Sequence, residues 1–223
     1  MMGGFQNQLL NQNFKQNFYN IIITALITSC KLMVQNCCSN KVGIPNHEEK
    51  IRTYLLENYL ENENVRCMIG LSDLPIRFLP EVPENYDANT NTYIGRTDIR
   101  VLSSNWLSNP NDYYIVECKR LDGTQSLNQK YVDEGICRFI GNTPKYSSYN
   151  NQNIMLGFII KDITCSIVVS AITSIHTKKI GNIIAKNITP ISSSKDYCLC
   201  ESVYTNQLSL NHIFYNISSI ISP

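Results

Sequence analysis

The run from Asn153 to Lys161, NIMLGFIIK, constrains this chain more than any other stretch. It is too short for a helix and too continuously apolar for a strand with one wet face, so it reads as a strand buried on both faces. Such a strand needs a packed layer above and below it. Helical patterns flank it in the sequence. One spans Leu127 to Ile140, with Leu127, Tyr131, Ile136 and Phe139 on its buried face. The other spans Ile163 to Thr177, with Asp162 placed to cap it and Lys178 and Lys179 suiting its C-terminal end. Further strands are expected at Tyr113–Arg120, Gly95–Leu102 and Asp196–Thr205, with Leu208–Ile221 closing the chain. The expected fold class is α/β: a mixed central β-sheet flanked by helices.

A length of 223 residues suits one domain with a small appendage, and 43% hydrophobic with 17% charged residues is a globular composition. We divide the chain into an N-terminal helical extension, residues 1–40, and a main domain, residues 41–223. The extension carries a helix over Phe14–Gln35, expected to pack on the domain or to serve as the contact for a homodimer or a partner subunit. Its apolar run IIITALITSC is interrupted by Lys31, so no membrane span is expected. Nine cysteines with no CxxC or Cys/His spacing argue for reduced thiols and a cytoplasmic location rather than a zinc site or a disulfide framework. A net charge of +1 gives no general attraction to nucleic acid, so such binding needs a local basic cluster.

Chemistry concentrates between Gly95 and Arg120. In a strand over Tyr113–Arg120, Glu117 and Lys119 share a face with Tyr113 and Ile115, their Cβ atoms about 7 Å apart. The Ser/Asn/Pro-rich segment Ser103–Asp112 supplies turn chemistry, so an antiparallel pair brings Asp98 beside Glu117. Two carboxylates about 4 Å apart repel by about 4 kcal/mol at an effective dielectric of about 20. A hard divalent cation removes that repulsion, and Mg²⁺ is held by one or two carboxylates plus waters and phosphate oxygens. Arg96, Arg100 and Arg120 border this site and are the candidates for a basic patch. The triplet Glu48-Glu49-Lys50 has the same E-x-K form but opens a helical pattern, where side chains two apart diverge.

Asp98 followed by Glu117-Cys118-Lys119 at the end of an apolar strand resembles the D…ExK core of the PD-(D/E)xK, or restriction-endonuclease-like, nuclease superfamily. The proline that usually precedes the acid is Thr97 here. The motif covers roughly a tenth of the chain, and the looser order of elements extends from Asn46 to Ser218. The resemblance implies a restriction-endonuclease-like core and a metal-dependent nuclease that hydrolyses phosphodiester bonds, of DNA in preference to RNA. It implies Mg²⁺, with Mn²⁺ able to substitute, held by Asp98, Glu117 and the carbonyl of Cys118, and Lys119 acting on the attacking water or on phosphate charge. It also implies a helix acid that completes the site, Glu48 with Glu49 close behind, on a helix capped by Asn46 whose stripe is Ile51, Leu55 and Tyr59. Acids in a first turn are equally explained by the helix dipole. Tyr131 and Arg138 resemble polar residues that relatives place beside the active site, and ordinary helix packing also explains them. A role in restriction or defence rests on the same analogy.

Two other classes stay open. One is a catalytically inactive nucleic-acid-binding or regulatory module on the same fold, and the other is a subunit that docks a partner through its N-terminal helix. Val65–Val82 reads as a first strand or an irregular connection, and Pro144–Asn153 as a polar loop beside a substrate groove. Asp87–Asp98 faintly imitates a calcium loop, but it lacks the glycine that loop requires, and hairpin turn chemistry explains its asparagines.

Overall fold

Strand β7 (Gln152–Ile159) is the middle strand of a seven-stranded sheet and is buried from Asn153 onward, as its unbroken apolar run requires. The computed structural model describes residues 6–103, 109–141 and 144–222, with side chains from residue 13 onward. Across the sheet the strands are β2 (Arg77–Pro80), β5 (Ile99–Leu102), β6 (Tyr113–Leu121), β7, β10 (Ser209–Asn216), β9 (Tyr197–Tyr204) and β8 (Ile184–Ser193). The inner pairs β6–β7 and β7–β10 are parallel, and the outer pairs are antiparallel. A mixed sheet flanked by helices is therefore the architecture.

Strict alternation divides the core between two faces. Tyr114, Val116 and Cys118 of β6 point into one cluster with Ile154, Leu156 and Phe158 of β7. Helices α1 (Gln6–Asn40) and α2 (Glu48–Leu55) cover that cluster through Tyr19, Ile22, Leu26 and Met33, and through Ile51 and Leu55. Tyr113, Ile115 and Leu121 point into the other cluster, covered by α4 (Gln125–Asp133) and α5 (Cys165–Ile180). Each fully buried Leu, Ile or Met contributes about 1.5–3 kcal/mol through area removed from water.

The N-terminal helix is longer than its apolar run suggested. Over Asn13–Asn40 it is long and apolar enough, by length and composition, to cross a membrane. Its apolar side is buried against the sheet instead, and the Tyr19 hydroxyl donates to the Asn153 carbonyl at 2.7 Å. The helix thus forms part of the same core as β6 and β7.

Several boundaries differ from expectation for local reasons. Helix α2 starts after His47, because Asn46 is occupied as an acceptor for Arg120. It runs on into a π-helical turn, Leu56–Leu60, that buries Tyr59 and Leu60. Val65–Val82 opens within a short helix, α3 (Glu63–Met68), capped by the Asn62 side chain, before reaching β2. The single strand expected over Gly95–Leu102 is broken. A separate hairpin, β3 (Pro83–Asp87) with β4 (Thr92–Arg96), ends where Thr97 bonds the Val82 carbonyl through both its amide and its hydroxyl. The middle of the Ser103–Asp112 turn, residues 104–108, lies outside the described residues.

The helix expected to Ile140 stops at Asp133, followed by a separate turn of 3₁₀ helix, Ile136–Arg138. Gly135 marks the break, since a Cβ there would sit 2.4 Å from the Tyr131 carbonyl oxygen. Helix α5 begins after Thr164 rather than Asp162. Strand β8 escaped detection because its residues are mostly exposed and carry register shifts against β9. A two-stranded pair, β1 (Ile44–Pro45) with β11 (Ile221–Ser222), ties the chain end to the start of α2.

Candidate active site

The site arises because β5 is too short. It pairs with β6 only over Tyr113–Val116, so the main-chain amides of Cys118 and Arg120 extend beyond their partner strand. Unpaired buried amides are costly, and carboxylates satisfy both. Asp98, immediately before β5, accepts from the Cys118 amide at 2.7 Å, and Glu48, in the first turn of α2, accepts from the Arg120 amide at 3.0 Å. Helix α2 is thereby docked to the strand end with Glu48 facing inward. Its other carboxylate oxygen lies 3.0 Å from Lys119 Nζ.

Glu117 is fully buried. One of its oxygens faces Lys119 at 2.9 Å and Arg138 at 3.1 Å, and the other accepts from the Tyr146 hydroxyl at 2.6 Å. Burial pushes the Glu117 carboxyl up to about 7, and the nearby Asp98 charge adds to that. Lys119, Arg138 and the Tyr146 hydroxyl pull it back. For Lys119, burial works against the charge, but Glu117, Glu48 and Asp98 outweigh it and raise its affinity for the proton. Lys119 is therefore an ammonium, donating also to the Cys118 carbonyl at 2.9 Å.

Asp98 is gripped from the other side. Arg52, one helical turn after Glu48, donates to Asp98 at 2.5 Å and to Glu81 at 2.6 Å. Glu48, Arg52, Asp98, Lys119 and Arg138 line one cleft of about 700 Å³, together with Glu49, Glu81 and Arg96. Pro83, Tyr93, Ile94 and Lys145 form its rim on the hairpin side.

The expected site residues therefore divide. Asp98, Glu117, Lys119 and Glu48 converge through direct contacts, with Cys118 contributing its main chain. Arg96 and Arg138 also reach the cleft. Arg100 does not, because it pairs with buried Glu84 and lies over the Tyr113 ring at 4.3 Å. Arg120 tethers Asn46, with its guanidinium on the Asn46 carbonyl and side chain. Tyr131 is fully buried in the α4–α5 layer, bonded to His212 at 3.0 Å, and is away from the cleft.

Arg52, Glu81 and Tyr146 were not anticipated. Arg52 had a legible signal, a cation four residues after Glu48 beside the buried stripe. Tyr146 had none, since it comes from a loop whose path no periodicity specifies.

Among the described residues no group of three or more His, Cys, Asp and Glu side chains is arranged to hold a metal ion. The donor set that is present is two carboxylates from adjoining strand ends and a main-chain carbonyl. One oxygen of Glu117 is buried without a hydrogen bond of good geometry, facing only cations. Two carboxylates and a carbonyl are oxygen donors of the kind a hard divalent cation takes, although Glu117 is already met by two cations. Comparison with known protein families, with curated proteins and with solved structures finds no match to this chain.

Proposed function

We propose that this chain is a metal-dependent phosphodiesterase of the restriction-endonuclease-like type, acting on nucleic acid and on DNA in preference to RNA. The observation that carries the reading is the convergence of Asp98, Glu117, Lys119 and Glu48, from the residue before β5, from β6 and from α2: Asp98, Lys119 and Glu48 line one cleft, and Glu117 lies buried against Lys119 beneath it. The order of elements supports it: helix α2, strands β2, β5 and β6, helix α4, then β7 parallel to β6. The preference for DNA and a restriction-type role rest on the motif's resemblance.

Asp98, Glu117 and the Cys118 carbonyl would hold Mg²⁺ or Mn²⁺, which when bound lowers the pKa of a water and offsets phosphate charge. Lys119 is held as a cation by three acids, so its part is to donate a hydrogen bond and a positive charge rather than to take a proton. Glu48 orients Lys119 and fixes the strand end through the Arg120 amide. Arg138, half-buried between Glu117 and Tyr146, holds the Glu117 carboxylate in place.

A silent nucleic-acid-binding module is the second reading. It is favoured by the closure of the ion pairs, since both acids already have cationic partners in Arg52, Lys119 and Arg138. Incubation of the purified protein with plasmid, linear DNA and RNA under Mg²⁺ and Mn²⁺ separates the two. Asp98→Asn is expected to lose metal binding and cleavage together. Lys119→Ala is expected to keep metal binding while cleavage falls by about 10²-fold or more. Cleavage that survives both substitutions undiminished removes the phosphodiesterase reading.

A further inference from the structure

The hairpin β3–β4 belongs to neither face of the main sheet, yet it is built firmly and stands beside the cleft. Its root is locked by Glu84, a buried carboxylate that binds the Tyr113 hydroxyl, the Arg100 guanidinium and the Ser147 amide. Gly95 packs so closely on the loop after α4 that a Cβ would lie 2.7 Å from the Lys145 carbonyl oxygen. The tip is an asparagine-rich turn tied by the Asp87 carboxylate to the Asn89 amide and the Thr90 hydroxyl. So much rigid construction presents exposed apolar groups to water. Tyr86 and Tyr93 face each other across the two strands, with ring centroids 5.4 Å apart, and are 55% and 57% exposed. Tyr93 and its neighbour Ile94, 52% exposed, line the cleft itself.

Charge decides what such a surface suits. A duplex groove owes most of its affinity to phosphates met by many cations. In this cleft Arg96 is paired with Glu81 at 3.1 Å, and Arg138 with Glu117. A single-strand surface also tracks the backbone with cations, here Lys145 and the exposed Arg96 on the rim, but adds aromatic rings on which bases stack, and stacking on Tyr93 needs the bases unpaired. We infer that the β3–β4 hairpin is a stacking platform, on which Tyr93, braced by Tyr86, holds a base of an unpaired strand whose backbone enters the cleft. The inference rests on the reading of that cleft as a nucleic-acid site and extends it to the form of the substrate, single-stranded or locally opened.

The test measures binding without cleavage, by fluorescence anisotropy in EDTA. The probes are a short labelled thymidine oligomer, the same oligomer in duplex, and an abasic strand of equal length that keeps the phosphates and lacks the bases. The single strand is expected to bind tighter than either control. Tyr93→Ala is expected to weaken it by about 5-fold or more, the loss of one stacked base, and to leave the abasic strand unaffected. Tyr93→Phe should bind as wild type. Both variants should melt near the wild-type temperature, because the ring is mostly in solvent. Equal affinity for the oligomer and the abasic strand, or tighter binding of the duplex with no effect of Tyr93→Ala, overturns the platform. The two ideas fail separately. Ring-dependent binding with no cleavage of any nucleic acid under Mg²⁺ or Mn²⁺ overturns the phosphodiesterase reading and supports the platform. Cleavage and binding both indifferent to Tyr93 do the reverse.

Discussion

Replacing Tyr146 by Phe deletes one oxygen and tests how the Glu117 carboxylate is held. That hydroxyl lies 2.6 Å from Glu117, accepts from Arg138 at 2.6 Å, and is also 2.8 Å from the Arg96 carbonyl oxygen. A hydrogen bond to a charged group contributes about 1.5–3 kcal/mol, and about 1.4 kcal/mol corresponds to one pKa unit. The substitution should therefore lift the Glu117 carboxyl roughly one to two units above its value of about 7. The sign follows from linkage. Glu117 has a higher pKa folded than unfolded, so the folded state binds more protons between about 4.5 and 7, and stability falls as pH rises through that window. In the variant the fall continues to roughly pH 8 or 9. The gap between wild type and variant should thus widen from pH 6 to pH 8 by about 1–1.4 kcal/mol, since wild-type Glu117 is itself mostly ionised by pH 8, which is about 2–6 °C in melting temperature for a chain of this size. Thermal unfolding followed by circular dichroism in EDTA at pH 6, 7 and 8 reads it. Tyr149→Phe, on an exposed ring, is the control. An equal gap at pH 6 and pH 8 would show that the hydroxyl does not act on the ionised acid, and the account of the site's electrostatics would fall with it.

A buried chain of hydrogen bonds behind the sheet gives the opposite pH dependence. His212 bonds Tyr131 and Ser202 and packs between Met155 and Cys200 of the neighbouring strands, and burial lowers its pKa to about 3, with His176 adding to the effect. Its stabilising contribution is complete above the unfolded value near 6.5 and should be lost at about 1.4 kcal/mol per unit as pH falls below it. His212→Asn should unfold with a shallower acid slope between pH 6.5 and 4.5, and parallel slopes would refute this. On α2, Glu48→Gln should cut cleavage strongly by loosening Lys119, whereas Lys50→Ala, the decoy, should match wild-type rates. Equal effects of the two would detach the helix from the site. Asp98→Asn should also erase any rise in melting temperature produced by millimolar Mg²⁺ in the wild type, since a ligand that prefers the native state stabilises it by mass action. A rise that persisted in the variant would place the metal elsewhere.

What the sequence revealed, it revealed through periodicity. The continuous run of β7 and the alternation of β6 fixed which residues meet which layer, and so located Glu117 and Lys119 together. Asp98 was found by hairpin distance, although the chain reaches it by a different route, leaving one hairpin at Thr97 and entering the main sheet at Ile99. Residues that act through irregular backbone were hidden. Tyr146 arrives on a loop, and its role depends on a close approach at Gly95 that no local pattern encodes. Arg100 and Arg120 lie beside the acids in sequence but are not among the residues that line the cleft. Proximity in sequence to the acids says nothing of side-chain direction, and both guanidiniums are committed to tethering the scaffold.

Arg52 gives the cleft a fixed gauge. Its two-pronged head joins Asp98 to Glu81, and Glu81 is the left-handed residue at the foot of the hairpin, its own amide bonded to the Asp98 carbonyl at 3.1 Å. The wall that carries Tyr93 and the acid that anchors the chemistry are thus riveted to each other twice, through main chain and side chain. Jaws hinged at this root would have to break the ion pairs of the buried Arg52 guanidinium to move, so these contacts hold the opening as a caliper is held at one width. If the cleft takes a nucleic-acid strand, as proposed, selection would fall to what can slide into that width, and not to what can induce it to shut.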